Sequence, residues 1–208
     1  MVELQTPNVM NVMGRNGNLN KDLNHMKIAI TAATGNLGGA IVKALLNHPA
    51  GPEVIGITRN PNRVKIPSMT YRQGDYSDQA SYREALKDID CVLLVSGMDE
   101  PSKRIQQHRN VIKAAIESGV KKIVYTSIIG NDKESGFSPV VASNRQTEED
   151  IRDSGISWAI GRNGLYIEPD IEYVDNYIAA NKITNCGGEG KCAYTTRDEL
   201  AFAYAEML

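Results

Sequence analysis

Residues 27–39 read KIAITAATGNLGG, a short apolar run followed by a glycine-containing turn and the start of a helical pattern. A strand, a tight glycine turn and a helix in this order are typical of the phosphate-binding corner of a dinucleotide-binding fold. The first turn of a helix has free backbone N–H groups and the positive end of the helix dipole, which together attract a pyrophosphate. The residues expected to contact the dinucleotide here are Thr31, Thr34, Gly35, Asn36 and Leu37.

The turn follows a G-x-x-G-x-x-G spacing in which Ala32 takes the place of the first glycine. Gly35 and Gly38 have no side chain, so the phosphates and the neighbouring strand can come close. Because alanine has a Cβ, it is less suited than glycine to a sharp first turn. The same pattern is also compatible with an ordinary strand–helix connection, and the rest of the chain decides between these alternatives.

The composition narrows the class of protein. The chain has 208 residues, 41% of them hydrophobic, and a formal net charge of -2, which suits one globular domain with a sizeable core. A pI of about 6.0 argues against nucleic acid as a partner. No apolar run approaches the roughly 20 residues of a membrane span, and the N-terminus lacks a secretory signal. We therefore expect no membrane partner and a cytoplasmic setting.

The cysteines do not indicate a structural site. Cys91, Cys186 and Cys192 are too few and too irregularly spaced for a disulfide framework or a zinc site. Cys91 lies in an apolar run and is expected in the core. We expect no metal.

The chain divides into a leader and a folded region. Residues 1–25 contain six asparagines and little periodicity, and Met26 stands directly before the first apolar run. We expect 1–25 to be a disordered leader or extension. Residues 26–208 are expected to form one domain, with about 164–208 on the substrate side. The last helical pattern has no stop signal before Leu208, so we expect a chain that is truncated or incomplete.

From Met26 onward, strand-like and helix-like runs alternate. The predicted strands are residues 28–31, 54–58, 69–73, 91–95, 123–126 and 157–160, and the predicted helices are 38–46, about 78–88, 103–118, 143–153, 169–183 and one opened by a capping box at 196–199. This alternation predicts an α/β fold with a doubly wound parallel sheet. The ligand crevice then lies at the carboxyl ends of the first and fourth predicted strands.

Further segments add to the opening motif. They are GDYSD at 74–78, the pair Ser96-Gly97, YTS at 125–127 and GRNGLY at 161–166. With ITAATGNLGGAIVKALL at 30–46, they resemble the NmrA-like branch of the atypical short-chain dehydrogenases. Within that branch, the sequence is most similar to NAD(P)H-dependent quinone reductases and triphenylmethane-dye reductases. The resemblance implies an NAD(P)-binding Rossmann-type fold, an oxidoreductase, and a C-terminal region beyond Leu208 that helps to close the substrate site.

The cofactor preference is predicted from Arg59, which follows the second predicted strand. An NAD-specific site places a carboxylate near here, but residues 58–63 contain none, and an arginine suits a 2′-phosphate. NADP(H) is therefore the expected cofactor, although a solvated arginine at a strand end is the alternative. The resemblance places Asp75 and Tyr76 beside the adenine. A turn in which Asp75 caps nearby backbone explains the same residues equally well.

Two pairs of residues end the fourth and fifth predicted strands. Ser96 and Gly97 lie beside the first strand in the predicted order, and Gly97 would let the backbone approach the cofactor. Thr126 is expected to contact the cofactor. The resemblance implies that Ser127 belongs to the proton-delivery group, and the alternative is a hydroxyl that satisfies loop backbone.

The resemblance also implies a Tyr-x-x-x-Lys motif on the helix after the fifth strand, and this motif is missing. Val140 and Asn144 stand in its two places, and residues 136–150 contain neither Tyr nor Lys. Reduction of an ordinary ketone makes an alkoxide and needs that acid, whereas a quinone or a cationic dye gives a delocalised phenolate or a neutral product. The absence therefore argues against epimerases and alcohol dehydrogenases.

The remaining candidates lie on the nicotinamide and substrate sides. Asn144 could contact the nicotinamide ribose, and Asn163 and Tyr166 could line the substrate. Tyr166 is also a catalytic candidate, and a packed aromatic is its alternative. The histidines His25, His48 and His108 are expected to be surface or core residues rather than bases.

The leading prediction is a reductase that passes hydride from NADPH to a quinone, azo or dye-like acceptor. The expected partner is this small-molecule acceptor, and a homodimer is possible. The first alternative is a non-catalytic NADP-binding redox sensor or regulatory protein of NmrA type. The second is a divergent epimerase-like enzyme.

Overall fold

A seven-stranded sheet organises the residues that this computed structural model describes, which are 2–4, 26–63, 66, 69–130, 137–183 and 194–208. The strands are β1 (Val2–Leu4), β2 (Lys27–Ile30), β3 (Glu53–Thr58), β4 (Thr70–Gln73), β5 (Cys91–Val95), β6 (Lys122–Ile128) and β7 (Ser157–Asn163). Their order is β1-β7-β6-β5-β2-β3-β4, and all neighbours from β7 to β4 are parallel. Because β2 lies beside β5, the sequence-based doubly wound order is confirmed.

Helices cover both faces of this sheet. They are α1 (Asn36–Leu46), α2 (Gln79–Ala85), α3 (Pro101–Glu117), α4 (Ser138–Arg152), α5 (Glu168–Glu172), α6 (Val174–Ala180) and α7 (Arg197–Met207). A short two-stranded parallel sheet pairs β8 (Leu165–Tyr166) with β9 (Tyr194–Thr195). The core against α1 and α7 contains Ile41 and Tyr204, and the core on the opposite face contains Tyr82, Val111 and Ile151.

The central strands read as continuous apolar runs because helices cover them from both sides. In β5, Cys91 and Val92 are buried on opposite faces, and the following two leucines are fully buried as well. Burial raises the pKa of the Cys91 thiol to about 12, so this side chain is an unreactive core group, as the sequence predicted.

Two helix starts follow directly from their capping residues. The Asp78 carboxylate accepts the N–H groups of Ala80 and Ser81 at the start of α2. Thr196 and Glu199 form a reciprocal capping box at the start of α7. The capping box of α7 was predicted from residue type and spacing, whereas the sequence left Ser77 and Asp78 as alternative caps of α2 and the structure selects Asp78.

Other helix bounds differ from the sequence-based prediction. The single helix predicted over 169–183 is two helices, which meet at Tyr173. Asn181 then adopts a left-handed conformation with φ of 46° and ends α6. Helix α4 begins at Ser138 instead of residue 143, because Pro139 fits the first turn of a helix, where no N–H donor is needed.

The leader contributes to the sheet, and this corrects the expectation that residues 1–25 lie outside the fold. Val2–Leu4 pair antiparallel with β7, with Val2 opposite Gly161 and Leu4 opposite Ala159. An edge strand has free N–H and C=O groups that another segment can pair with. Composition and periodicity could not reveal this pairing, since it depends on an edge that exists only in the folded sheet. The other residues of the leader lie outside the described residues.

Within the described ranges, no helix is both long and apolar enough to cross a membrane. The same residues contain no group of three or more His, Cys, Asp or Glu side chains arranged to hold a metal ion.

Candidate functional site

The turn between β2 and α1 is sharp although alanine takes the first glycine's place. Ala32 adopts a left-handed conformation with φ of 48°, and its carbonyl accepts the Gly35 N–H at 2.8 Å. For a residue with a Cβ, this conformation costs about 1–2 kcal/mol. The Gly39 N–H donates to the Gly35 carbonyl at 2.9 Å and closes the first helical turn.

Gly38 and Gly35 lie at different distances from the Ala32 carbonyl oxygen, so a side chain would have a different effect at each position. A Cβ at Gly38 would lie 2.4 Å from the Ala32 carbonyl oxygen, so the helix could not start against the turn with any other residue. A Cβ at Gly35 would lie 3.1 Å from the same oxygen, and Gly35 is exposed toward the crevice. Because the first helical amides have no intrahelical acceptor, the turn can offer them to an anion, and the binding of a pyrophosphate here stays a prediction.

Thr31 and Tyr76 lie beneath the crevice and link β2 to β5. The Thr31 Oγ1 accepts the Val95 N–H at 2.8 Å. The Tyr76 hydroxyl lies 2.7 Å from both the Thr31 Oγ1 and the Val95 carbonyl oxygen, to which it donates. Burial raises the pKa of this phenol. The hydroxyl of Tyr76 therefore points into the sheet, and the place of this residue beside an adenine stays a prediction.

Asp75 supports its own turn. Its carboxylate accepts the Ser77 N–H at 2.8 Å, and its backbone N–H donates to the Ser81 Oγ at 2.9 Å. Of the two explanations left open by the sequence, this geometry favours the capped turn. The predicted contact of Asp75 with adenine has no support in these bonds.

Arg59 directly follows β3 and lies beside the phosphate turn, the name used here for residues 31–37, which run from β2 into α1. The preceding residue, Thr58, places its Oγ1 3.2 Å from the Thr34 Oγ1 and so joins β3 to the turn. The Arg59 side chain is exposed. Nowhere in the described ranges does a carboxylate pair with it. This arrangement leaves the guanidinium available to a ligand on the turn.

The Ser96–Gly97 segment is held by a histidine that sequence analysis set aside. The buried Gly97 N–H donates to the His108 Nε2 at 3.0 Å, and the His108 Nδ1 lies 2.9 Å from the Thr147 Oγ1. Burial, together with the charge of Arg104, lowers the pKa of His108 to about 3. The ring is therefore neutral, with its proton on Nδ1. In the sequence, His108 precedes Arg109 on a helical pattern, and this pattern does not predict a bond to the Gly97 amide.

Gly97 itself is not required by packing. A Cβ at this position would meet its nearest heavy atoms, in Gln107 and His108, only at 3.6 Å. These are ordinary van der Waals distances, so a side chain as small as alanine would fit here, and the approach of the cofactor to the Gly97 backbone stays a prediction.

Polar groups at the ends of β5 and β6 bond to one another. The Ser96 N–H donates to the Thr126 Oγ1 at 2.9 Å, and the Ser96 Oγ donates to the Asn144 Oδ1 at 3.2 Å. The Tyr125 hydroxyl donates to the same Asn144 oxygen at 2.6 Å. The structure thus brings the predicted residues Ser96, Gly97, Thr126 and Asn144 together at one edge of the sheet.

Ser127 lies in a separate charged cluster. Its hydroxyl donates to the Glu148 Oε1 at 2.6 Å, and neither side chain is exposed to solvent. Arg145 donates to this carboxylate at 2.7 Å, and the Arg162 Nε donates at 2.9 Å. Because its proton is held by a buried carboxylate, the predicted proton-delivery role of Ser127 is not supported by this geometry.

Asn163 and Tyr166 lie on the other face of the sheet, under α7. The Asn163 Nδ2 donates to the Tyr166 hydroxyl at 3.1 Å, and its Oδ1 accepts the Tyr204 hydroxyl at 2.7 Å. The Arg197 guanidinium lies 5.4 Å from the centre of the Tyr166 ring. These contacts favour the packed-aromatic alternative for Tyr166, and its predicted catalytic and substrate-side roles stay predictions.

Two cations near the phosphate turn were missed by the sequence analysis. These are Lys43 on α1 and Arg197 on α7, and both line a cleft of about 440 Å³ beside α1 together with Gly35, Asn36 and Glu168, the first residue of α5. Their positions depend on how α7 packs against α1, which no local pattern reveals.

An apolar rim surrounds the carboxyl ends of β5, β6 and β7. Met98 is 94% exposed, and Ile129, Phe137 and Leu165 are 55–59% exposed. Grouped exposed apolar side chains are typical of a surface that binds an apolar ligand or a partner. This rim lies at the same edge as Gly97 and Asn144.

Comparison with known proteins gives the family. Residues 32–208 match the model of a family described as NAD(P)H-binding. Quinone oxidoreductase 2 of Escherichia coli is 36% identical over 186 residues, which cover 87% of this chain and 63% of that protein. An NmrA-like family domain-containing oxidoreductase of Aspergillus flavus is 30% identical over 193 residues, covering 88% of this chain and 62% of the relative.

A solved structure agrees with this match. The Citrobacter sp. triphenylmethane reductase complexed with NADP(H) superposes with a TM-score of 0.79 at 33% identity, over 86% of this chain and 64% of that one. The chain thus spans less than two thirds of the length of these relatives.

Proposed function

The chain belongs to the NAD(P)H-binding family as an NmrA-like member, and on that basis we propose that it is an NADPH-dependent reductase of quinone, azo or dye-like acceptors. The names of the quinone oxidoreductase and the triphenylmethane reductase support this activity. The fit of the turn between β2 and α1 to a pyrophosphate supports the cofactor.

The cofactor lies across the carboxyl edge of the sheet in this proposal. Residues 34–37 hold the pyrophosphate, and Arg59 binds the 2′-phosphate at the end of β3. The nicotinamide then extends over β5 and β6, toward Gly97, Thr126 and Asn144. When bound, the dihydronicotinamide supplies a hydride, and the chain's own residues orient it and exclude water.

One observation carries the choice of acceptor, namely that the hydroxyls at this edge are already committed to other partners. Ser96 and Tyr125 donate to Asn144, and Ser127 donates to Glu148. Val140 stands where a general acid would be expected. The proposed acceptor therefore needs no proton in the transition state, which describes a quinone or a dye better than a ketone. Catalysis rests on the proximity and orientation of the two rings.

We expect rapid NADPH oxidation with quinones and negligible reduction of simple ketones. A lost general acid costs about 10²–10⁴-fold for acceptors that need it. The measurement is loss of the NADPH absorbance with a matched panel of quinones, triarylmethane dyes, cyclohexanone and acetone. Ketone turnover comparable to that of the quinones would contradict the proposal.

Arg59→Ala is expected to weaken NADPH binding about tenfold to a hundredfold, because a charge-assisted bond contributes about 1.5–3 kcal/mol. NADH affinity should barely change. Both affinities are measured by fluorescence titration. Arg83→Ala provides the control, because Arg83 is an exposed arginine on α2 that pairs with Glu117 at 4.0 Å. Equal losses for the two nucleotides in Arg59→Ala would show that Arg59 does not bind the phosphate.

The same committed hydroxyls also favour a second candidate, a redox sensor that binds NADP(H) without turnover. A sensor needs the phosphate turn and Arg59 but no acceptor chemistry. NADPH binding without oxidation by any member of the acceptor panel would select this function over the reductase.

A further inference from the structure

Arg104, near the start of α3, carries a buried charge with incomplete compensation. Only 7% of this residue is exposed. Its Nη2 donates to the Asp99 carbonyl at 2.8 Å, and its Nη1 lies 3.5 Å from the Ser143 Oγ. The Nε is buried and finds no acceptor in the described part of the chain.

The described residues place no carboxylate within ion-pair distance of this guanidinium. The two acidic residues that precede it in the sequence, Asp99 and Glu100, are both exposed, and the Asp99 carboxylate accepts a bond from Gln107 at 2.8 Å. Burial lowers the pKa of Arg104, although an arginine remains charged at neutral pH. Holding such a cation without an anion costs the fold free energy.

The position of Arg104 is at the hydride end of the proposed site. Its Cγ would lie 3.9 Å from a Cβ placed on Gly97, under the segment that follows β5. On its other side stands Ser143, the neighbour of Asn144 on α4. The stem of the Arg104 side chain therefore packs near Gly97 and its guanidinium lies beside Ser143, next to the edge of the sheet where the nicotinamide and the acceptor meet in the proposed function.

We propose that Arg104 determines acceptor specificity by favouring neutral acceptors that gain negative charge, such as quinones, over cationic dyes. The inference rests on the proposed reductase function and narrows it to one acceptor class. Arg104 acts through its field in a site of low dielectric constant. Arg104 stabilises the negative charge that develops on the acceptor, as a general acid would, but it does not donate a proton.

The charge balance of the two reductions gives opposite signs. A neutral quinone that accepts a hydride, with its electron pair, becomes a hydroquinone anion, which then takes a proton from water. A cationic triarylmethane dye that accepts a hydride at its central carbon becomes a neutral leuco compound. The nicotinamide gains the same positive charge in both cases, so its interaction with Arg104 cancels in the comparison. A fixed cation therefore stabilises the first transition state and opposes binding of the second acceptor.

The test compares kcat/KM for a neutral benzoquinone and for the cationic dye crystal violet in Arg104→Met. We expect kcat/KM to fall about tenfold for the quinone, less than the roughly 100-fold lost with a donor that touches the reacting atoms, and to rise for the dye. Arg104→Lys keeps the charge and should keep the original ratio. Lys103→Met removes an exposed charge from the same helical turn and should change neither value. Thermal unfolding of each variant verifies the fold.

A binding measurement makes the inference independent of turnover. The affinities of anionic anthraquinone-2-sulfonate and of crystal violet are measured by calorimetry in the presence of NADP⁺. Arg104→Met should weaken the first and strengthen the second. If Arg104→Met fails to fold, Arg104→Gln replaces it, because an amide can still donate to the Asp99 carbonyl.

Each outcome decides one question. The role of the charge would be overturned if a folded Arg104→Met or Arg104→Gln variant kept the ratio of kcat/KM for the quinone to kcat/KM for the dye. It would also be overturned if Arg104→Lys lost this ratio as Arg104→Met does. If the unsubstituted chain turned over neither acceptor, the reductase function would be rejected instead. The affinities for anthraquinone-2-sulfonate and crystal violet would still test whether the charge of Arg104 favours anionic over cationic ligands.

Discussion

Gly35→Val should abolish measurable NADPH binding, a loss of more than about 100-fold, while the protein remains folded. Gly35 has φ of -77° and extended backbone, a conformation that valine adopts without strain. Its Cβ would lie 3.1 Å from the Ala32 carbonyl oxygen, so a shift of a few tenths of an ångström relieves the contact. The two methyl groups would then fill the approach to the first helical amides, where the pyrophosphate binds.

The neighbouring glycines supply matched controls for this experiment. A Cβ at Gly39 would make an ordinary 3.5 Å contact with the Ala33 carbonyl oxygen, so Gly39→Ala should leave both folding and affinity nearly unchanged. A Cβ at Gly38 would clash at 2.4 Å, so Gly38→Ala should destabilise the fold itself. NADPH titration with thermal unfolding separates these effects. Retained affinity in a folded Gly35→Val protein would place the pyrophosphate elsewhere.

Glu148→Gln should destabilise the fold by about 3 kcal/mol, near the lower end of the cost of breaking a buried ion pair. The carboxylate is fully buried, and it accepts bonds from Ser127, Arg145 and Arg162. A neutral amide leaves these guanidinium groups without that negative charge. Their partial exposure, 22–24% for the two arginine side chains, limits the cost. The unfolding temperature should fall by about 6–12 °C.

An exposed pair gives the control for this substitution. Glu84 pairs with Lys87 at the surface, where both side chains are more than 60% exposed. Glu84→Gln should leave the unfolding temperature nearly unchanged, because ion pairs between exposed side chains contribute little to stability. Equal effects of the two substitutions would mean that the Glu148 cluster does not stabilise the fold.

The pH dependence of stability provides a second check on Glu148. Burial alone would raise the pKa of this carboxyl, but the bonds from Arg162 and Ser127 and the charges of the arginines outweigh burial and lower it. Its contribution is therefore complete above the unfolded pKa of about 4.3 and is lost as the pH falls through the lower folded value. The stability difference between the unsubstituted chain and Glu148→Gln should be constant above about pH 5 and shrink below pH 4.

The local pattern predicted the framework of the site because each signal lies within a few residues. Strand, turn and helix follow one another in 27–39, and Asp78 and Thr196 cap helices through groups two or three positions away. The missing Tyr-x-x-x-Lys motif is also a local fact.

Only the folded chain decides the partners of the polar side chains, because those partners are far away in sequence. Tyr76 reaches Val95 and Thr31, and Ser127 reaches Glu148 on a helix 21 positions later. His108 is a core residue, one of the two places that the sequence predicted for it, but only the fold shows that its ring accepts the Gly97 N–H. No residue type or spacing distinguishes a hydroxyl that faces a ligand from one that bonds to a neighbouring element.

The sequence by itself determined the order of the parallel strands, the glycine turn between β2 and α1 and the absence of a Tyr-x-x-x-Lys motif, since short-range backbone geometry and residue identity suffice for each. The tertiary structure alone decided that Val2–Leu4 extend the sheet and that Tyr166 packs under α7. It also decided that Arg104 is buried beside Gly97 without a carboxylate partner in the described ranges. Burial and charge compensation depend on how elements pack across the sheet, and that packing is a property of the whole fold.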